Sequence, residues 1–505
     1  MNGGIKDRYL ALSVVMAGST MILLDVSVVN VALPNIMVSL GADVLEARWV
    51  VTASMLAQAV VMPLTGWLGR RIGLGPLFIV SLIFFTAGTA LCAASWSIGS
   101  LVVSRIIQAI GAGLIQPAAM SIITQTFPPH QRGRAIGAWG VSLTIGPMLG
   151  PTTAGYLIEA FDWRAAFLLN LPIGLAAIVF AWTVLRLQRD ERPPKFDLLG
   201  YLSLATFLVV GMLTLTLGNE EGWDSEIIIL GIGVSAFAFL IFLVVEWNYR
   251  DALVPMRLFL VPDFSLAVTI AFVRSLGMFG AFFLQPMFLQ QVQGRDPIET
   301  GMIMVPAAFS FALAMPFSGW LQDRYGGRWP TVIGAVIAAY SFTLYWDLDF
   351  LSSRWAIIFP QFLRGLGMSL LMSPSTTVAL NSVPEKSAGT ASWIINLAQT
   401  FGGSIVIATL AAFLHRVSRI EMDRLGTAVT LNEGTPGVLH DWVMALGHGT
   451  GEAGSVAQAL MGWSVGQAAT TLAFHYNWML VSFGLLLIVI PGLFLSHGGA
   501  KFQDS

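Results

Sequence analysis

"GWLGRRIGLG" at residues 66–75 and "GWLQDRYGGR" at 319–328 share Gly, Trp, Leu, Arg and Gly at matching places. The shift between them, 319 − 66 = 253 residues, is half of the 505-residue chain. Each stretch follows an apolar run that ends on the same side of the chain's path, so the two halves repeat in parallel. Parallel repeats with a binding site near the midplane between them are how many secondary transporters are built.

The runs around these stretches set the class. The chain is 56% hydrophobic and 11% charged, against roughly 45–50% and 25% for soluble domains. Apolar runs of membrane-crossing length recur from 9–31 to 476–496, fourteen in all, each able to span a bilayer core of about 30 Å as a helix. The fold expected is therefore an all-α polytopic membrane protein. It has an N-terminal six-helix half (1–186), a linker with two inserted helices (187–263), and a C-terminal six-helix half (264–505) carrying a long outer loop at 415–475. No cleavable leader precedes the first run. With the N-terminus placed in the cytoplasm, Lys and Arg divide 16 inside to 7 outside, which fits the positive-inside rule and puts both termini in the cytoplasm. The formal charge of −2 points to no nucleic acid or other charged partner. The single cysteine, Cys92, excludes an intrachain disulfide.

Charges inside the runs are expensive and mark substrate or proton paths. One carboxylate, Asp25 in "LLDVSVVNVALP" (23–34), lies well inside a run, with Arg105, Arg274 and Arg364 in others. Burial favours the neutral form of a carboxylate and a nearby arginine favours the charged form, so a carboxylate whose partner moves is a proton switch. The alternative is a static pair with Arg105 that fixes helix packing. No Gly-Lys dipeptide is present, so no Walker-type nucleotide loop exists. The six histidines are scattered without ligand spacing, which argues against an enzyme and against a bound metal or cofactor. In "GPMLGPTTAG" (146–155), Gly146, Gly150 and Ala154 form one smooth helix face, while Pro147 and Pro151 remove backbone donors. The segment 453–474 reads as an amphipathic helix.

The sequence resembles the fourteen-helix drug:proton antiporter branch of the major facilitator superfamily. The likeness is carried by "LDVSVVNVALP" (24–34), "GWLGRRIG" (66–73), "RIIQAIGAG" (105–113), "GPMLGPTTAG", "FLQQVQGRDPIETGMIMVP" (288–306) and "NLAQTFGGSIVIA" (396–408). Where the superfamily's loop motif usually has an Asp before its Arg, the first copy has Arg70, while the second keeps Asp323. The resemblance implies a proton-coupled exporter in a bacterial inner membrane, not an enzyme. Its substrates would be hydrophobic or amphipathic small molecules, neutral or acidic given three arginines against one aspartate; a specific metabolite or lipid-like acid is the alternative. Asp25 and Arg105 would couple protons. Asn30, Arg274, Phe279, Phe282, Phe283, Met287 and Arg364 would line the cavity. Gly66, Arg71, Gly73, Asp323, Arg324 and Arg328 would form a conformational latch, and Gly146, Pro147, Gly150, Pro151 and Gly155 the antiporter motif. It further implies a periplasmic adaptor protein and an outer-membrane channel as partners beside the bilayer.

Overall fold

In the computed structural model, residues 5–185, 195–249, 252–431 and 450–496 are described. The side chains of Pro147 and Pro151 lie outside what is described. Among the described residues the regular structure is helical. The N-terminal half comprises α1 (Ile5–Leu40), α2 (Val44–Val61), α3 (Leu64–Ile72), α4 (Leu74–Ala93), α5 (Ile98–Thr126), α6 (Arg132–Ala160), α7 (Trp163–Leu168) and α8 (Asn170–Val184). Inserted helices α9 (Leu198–Glu221) and α10 (Glu226–Asn248) follow. The C-terminal half comprises α11 (Pro262–Met287), α12 (Pro297–Tyr325), α13 (Arg328–Thr343), α14 (Arg354–Asn381), α15 (Ala388–Leu431), α16 (Thr450–Leu486) and α17 (Val489–Phe494).

Eleven helices among the described residues are long and apolar enough to cross a membrane, or twelve when α2 and α3, bent by 55°, count as one span. The 29-residue α6 and the 16-residue α13 stand at the other two expected crossings.

The repeat is visible in local chemistry. Asp43 caps α2 and Asp296 caps α12, each accepting from the amide of a glutamate three residues on, at 2.7 Å in both cases. These two caps lie 296 − 43 = 253 residues apart, the same shift as the glycine-rich stretches. Side-chain oxygens at an N-cap satisfy amides that the helix itself leaves unpaired. In the stretches themselves, Gly73 (φ 95°) and Gly326 (φ 77°) both turn the chain through a region that side-chain-bearing residues avoid. The same cap and the same turn therefore recur in both halves at one shift.

The expected outer loop at 415–475 is corrected over its described part. α15 continues to Leu431 and α16 already begins at Thr450, so 453–474 is helical and continuous with the last crossing. No proline interrupts 388–431, and Arg424 pairs with Glu421 one turn away. At 1.5 Å per residue, the 44-residue α15 is about 66 Å long, twice the bilayer core. Both α15 and α16 thus project beyond it.

The fully buried Cys92 allows topology to be tested with single added cysteines. Counting crossings puts exposed His130 and Gly222 on opposite faces. Cysteines at 130 and 222 should be modified by an impermeant reagent from opposite sides of sealed vesicles; modification from one side would refute the crossing order.

Candidate functional site

Asp25 sits on α1 at 3% exposure, inside the N-terminal half. Arg105 of α5 donates Nη1 to its Oδ2 at 2.6 Å, and Gln108, one turn along α5, donates Nε2 to its Oδ1 at 2.8 Å. Arg105 also donates to Oε1 of Gln108 at 2.5 Å and to Ser54 of α2 at 3.4 Å. The Gln108 amide reaches Thr89 of α4 at 2.7 Å. Four helices thus join one network around the carboxylate, α5 touching it directly and α2 and α4 through Arg105 and Gln108, which are 4% and 1% exposed. A charge pair this deep survives only because every carboxylate oxygen has a donor.

The antiporter motif explains why α1 lies where it does. A methyl at Gly146 would strike the backbone of Leu23 and Leu24, and one at Gly150 would strike Ser27. Ala154, on the same face, is fully buried against Leu24 and Val28. α6 therefore lies flush along the segment of α1 that carries Asp25. Gly155 has open space around it and takes no part in this contact.

A cavity of about 420 Å³ lies between the halves. α1 contributes Ser27, Asn30 and Val31, α6 contributes Leu143 and Thr144, and α11, α12 and α14 supply the rest. Asn30, Arg274 and Arg364 line it as expected from the sequence. Phe279, Phe283 and Met287 do not. α11 lines it with Arg274, Met278, Phe282 and Pro286, spaced by one helical turn; Phe282 is thus where the sequence put it, and Phe279, Phe283 and Met287 lie one position further round. Phe279 instead lies against Gly403 of α15, and Phe283 and Met287 pack on the C-terminal core. The i, i+4, i+8 spacing was present in the sequence, but periodicity alone does not say which stripe faces the partner half.

Two guanidiniums reach the cavity with neutral partners. Arg274 donates to Ser375 at 3.1 Å and to Gln399 at 2.7 Å. Arg364 donates to Gln361 at 2.7 Å, which continues to Gln285 at 2.6 Å and from there to the Tyr345 hydroxyl at 3.0 Å. No aspartate or glutamate is among the lining residues. Gln361 and Arg364 reverse the Arg105–Gln108 order at the same spacing, so each half has an Arg–Gln turn and only the N-terminal one holds a carboxylate.

On the face bearing the N-terminus the halves are sealed. The backbones of Gly133 and Gly319 touch, so a Cβ on either would collide with the other's carbonyl oxygen. Asp323 accepts the amides of Gly133 and Arg134 at 2.8 and 3.0 Å, capping α6 from the opposite half. Arg132 reaches Asn381 at 2.9 Å and Glu385 at 3.2 Å. On the second seam Gly66 lies against Thr390 and Gly389 against Gly66. Of the other latch residues, Gly73 makes the turn already described. Arg71 and Arg324 lie over the Trp67 and Trp320 rings at 5.1 and 5.4 Å, and Arg328 donates to the Leu495 carbonyl at 3.0 Å. These three arginines bind within their own halves, and the bridging is done by Asp323 and Arg132. No group of three or more His, Cys, Asp or Glu gathers as a metal site among the described residues.

The Asp25–Arg105 pair makes a stability prediction. Asp25→Leu should cost about 3–5 kcal/mol by leaving a buried guanidinium unpaired. The double variant Asp25→Leu/Arg105→Leu should recover most of that in thermal unfolding of the purified protein; a loss equal to the sum of the two single losses would show that the pair is not coupled.

The family model described as the Major Facilitator Superfamily matches residues 15–407. The multidrug resistance protein B homolog of Mycobacterium tuberculosis (strain ATCC 25618 / H37Rv) is 32% identical over 410 residues, covering 79% of this chain and 75% of that one. The multidrug export protein EmrB of Escherichia coli (strain K12) is 30% identical over 393 residues, covering 76% and 75%. The solved proton:xylose symporter XylE superposes with a TM-score of 0.62 over 98% of each chain at 13% identity, a likeness of fold. With the motif contacts, the doubled fold and the central cavity in agreement with that match, this chain belongs to the Major Facilitator Superfamily and is a transporter.

Proposed function

We propose that the chain is a proton-coupled exporter of hydrophobic or amphipathic, neutral or acidic small molecules, working by alternating access from the cytoplasm. The observation that carries this reading is the division of labour on α1. Asp25 faces inward to Arg105 and Gln108, while Ser27, Asn30 and Val31 face the cavity. Protonating Asp25 removes the charge that holds Arg105, loosening α1 from α5; because α6 lies flush on α1, the wall of the cavity moves with it. Relatives named as multidrug exporters support the cargo class, and two cavity arginines without a carboxylate favour acidic over cationic cargo.

The energy suffices. One proton moving down 100 mV supplies about 2.3 kcal/mol, enough for about a fortyfold solute gradient. The charge distribution of the loops supports a bacterial inner-membrane location with both termini cytoplasmic, in which case the sealed face is the cytoplasmic one and the cavity is set for release. The projecting ends of α15 and α16 would then stand in the periplasm, where an adaptor protein leading to an outer-membrane channel would dock.

Inside-out vesicles with an imposed pH gradient test the reading. Asp25→Asn keeps size and hydrogen bonding but removes the titratable proton. The variant should still bind substrate, yet lose uphill accumulation and substrate-driven proton release; uphill transport by a stable Asp25→Asn protein would place the proton site elsewhere. In the same vesicles Arg274→Gln should weaken transport of anionic amphiphiles about tenfold more than that of neutral ones. An equal loss in both classes would make Arg274 structural.

A further inference from the structure

The inserted hairpin carries a second pair of buried acids that the transport reading does not use. Asp197 caps α9, accepting the Gly200 amide at 2.8 Å through Oδ1. Glu246, near the end of α10, accepts the Val254 amide at 2.9 Å through Oε2. Each side chain thus spends one oxygen on backbone. The other two, Asp197 Oδ2 and Glu246 Oε1, are buried with no hydrogen-bond partner. Both face the same small space beside Gly200: a methyl there would lie 2.5 Å from the first and 2.8 Å from the second. The residues are 4% and 3% exposed.

Two ionised carboxylates side by side in so small a buried space are unfavourable, because like charges in low dielectric repel and the protein supplies neither free oxygen with a donor. The surrounding charges do not relieve them. Lys195, two residues before Asp197, is exposed, as are Arg257 in the turn after Val254 and Arg71, which lies over the Trp67 ring that packs on Phe196. Tyr201 is held against Phe196, and Asp263 at the start of α11 accepts from Ser496. Among the described residues none of these cations forms an ion pair with Asp197 or Glu246. Two free oxygens are too few for a sodium or calcium ion, since calcium takes 6–8 oxygen ligands and no third acidic group gathers here among the described residues. A proton needs only two.

We infer that Asp197 and Glu246 share a single proton, forming a proton-dependent clamp that holds the base of the inserted hairpin to the linker entering the C-terminal half. The consequence runs along the chain. Glu246 holds the Val254 amide, and Leu253 and Val254, with Leu258 at the next turn, are buried in the core cluster that draws residues from both halves. α9 in turn bridges the halves, through the rings of Phe207 and Phe401, 5.1 Å apart and tilted by 49°, and the Asn219 side-chain amide on the Ala408 carbonyl at 3.1 Å. Losing the shared proton leaves two buried like charges and drives the hairpin base apart, releasing the linker and loosening the strap over that seam.

Infrared spectroscopy of the purified full-length protein tests this through the absorption of protonated carboxyl groups. At about pH 7 the wild type should show a band that persists in Asp25→Asn, which separates it from the pair on α1. Glu246→Gln and Asp197→Asn should each abolish it, because removing one charge lets the other acid ionise. Stability gives a second readout. A carboxyl held protonated in the fold binds more protons than in the unfolded chain, so stability falls as pH rises. The melting temperature of the wild type should drop by several degrees from about pH 5 to about pH 8, and Glu246→Gln should flatten that slope. A band lost in Asp25→Asn but kept in Glu246→Gln, an unchanged slope in Glu246→Gln, or a band that disappears on adding sodium would each overturn the inference, the last by putting a cation in the site.

Discussion

The backbone contact of Gly133 with Gly319 sets the conformation on which the rest of the structure depends. Only glycine lets the start of α6 and the end of α12 approach until one carbonyl occupies the space of the other's missing side chain. Closeness on this scale puts Asp323 within reach of the second and third amides of α6, where an acceptor and a negative charge are both favoured. The second seam repeats the pattern, with Gly389 against Gly66. The two seams are not equal, however. Position 70, the counterpart of Asp323, is an arginine, and a cation gains nothing at a helix N-terminus. One seam is locked by a carboxylate, whereas the other has close glycine packing and the hydrogen bond of Ser121 to Ser392 at 3.2 Å.

Sealing one face dictates what the other end of the molecule does. The residues in contact across the seams lie at helix ends on the N-terminal side, while the cavity residues lie further along the same helices, from Ser27 on α1 to Phe311 on α12. The halves therefore close at one end and part toward the other. α1 converts this geometry into chemistry, since one of its faces belongs to the charge network of the N-terminal half and the other to the cavity. A change in the occupant of either face is felt by the same rigid helix, and the small residues of α6 make that helix a pair.

The doubled fold was legible because a repeat in sequence is a repeat in structure: the glycine turns and the helix caps recur at one shift. The Asp25–Arg105 pair was legible because charges at membrane depth are few, so the partners are nearly determined. Gln108 was quoted within its motif but not given a role, although its position three residues after Arg105 places it on the same helix face. What failed was rotational. Phe279, Phe283 and Met287 lie one residue round from the cavity stripe of Arg274, Met278, Phe282 and Pro286, of which Arg274 and Phe282 were expected; counting by i+4 from the buried Arg274 is the signal that marks this stripe. In the outer segment the helix at 453–474 was legible from its periodicity, whereas the run of α15 on to Leu431 was not, because charges and glycines on a helix outside the bilayer resemble a loop when hydropathy is the guide. The acids at 197 and 246 were invisible because their contact depends on the fold of a linker.

The inserted hairpin explains where the cavity lies. α9 covers the seam between α2 and α15, held by the rings of Phe207 and Phe401 and, at the far end, by the ion pair of Arg48 with Glu220. Among the described residues the opposite seam, between α6 and α12, has no such strap. There the cavity is walled by Leu143 and Thr144 on one side and by Thr300 to Phe311 on the other. The outer face of α12 carries Met302, Val305 and Phe309, all exposed, in the helical stripe that a lipid-facing surface requires. Val305 is both a cavity residue and an exposed one, so the wall between cavity and bilayer is one side chain thick at that point. A polar cargo gains nothing from such a wall, whereas an amphipathic one can hold its acidic end on Arg274 and Arg364 and its apolar end against methionine and phenylalanine. Covering one seam and leaving the other thin thus puts the cavity closest to the bilayer between α6 and α12.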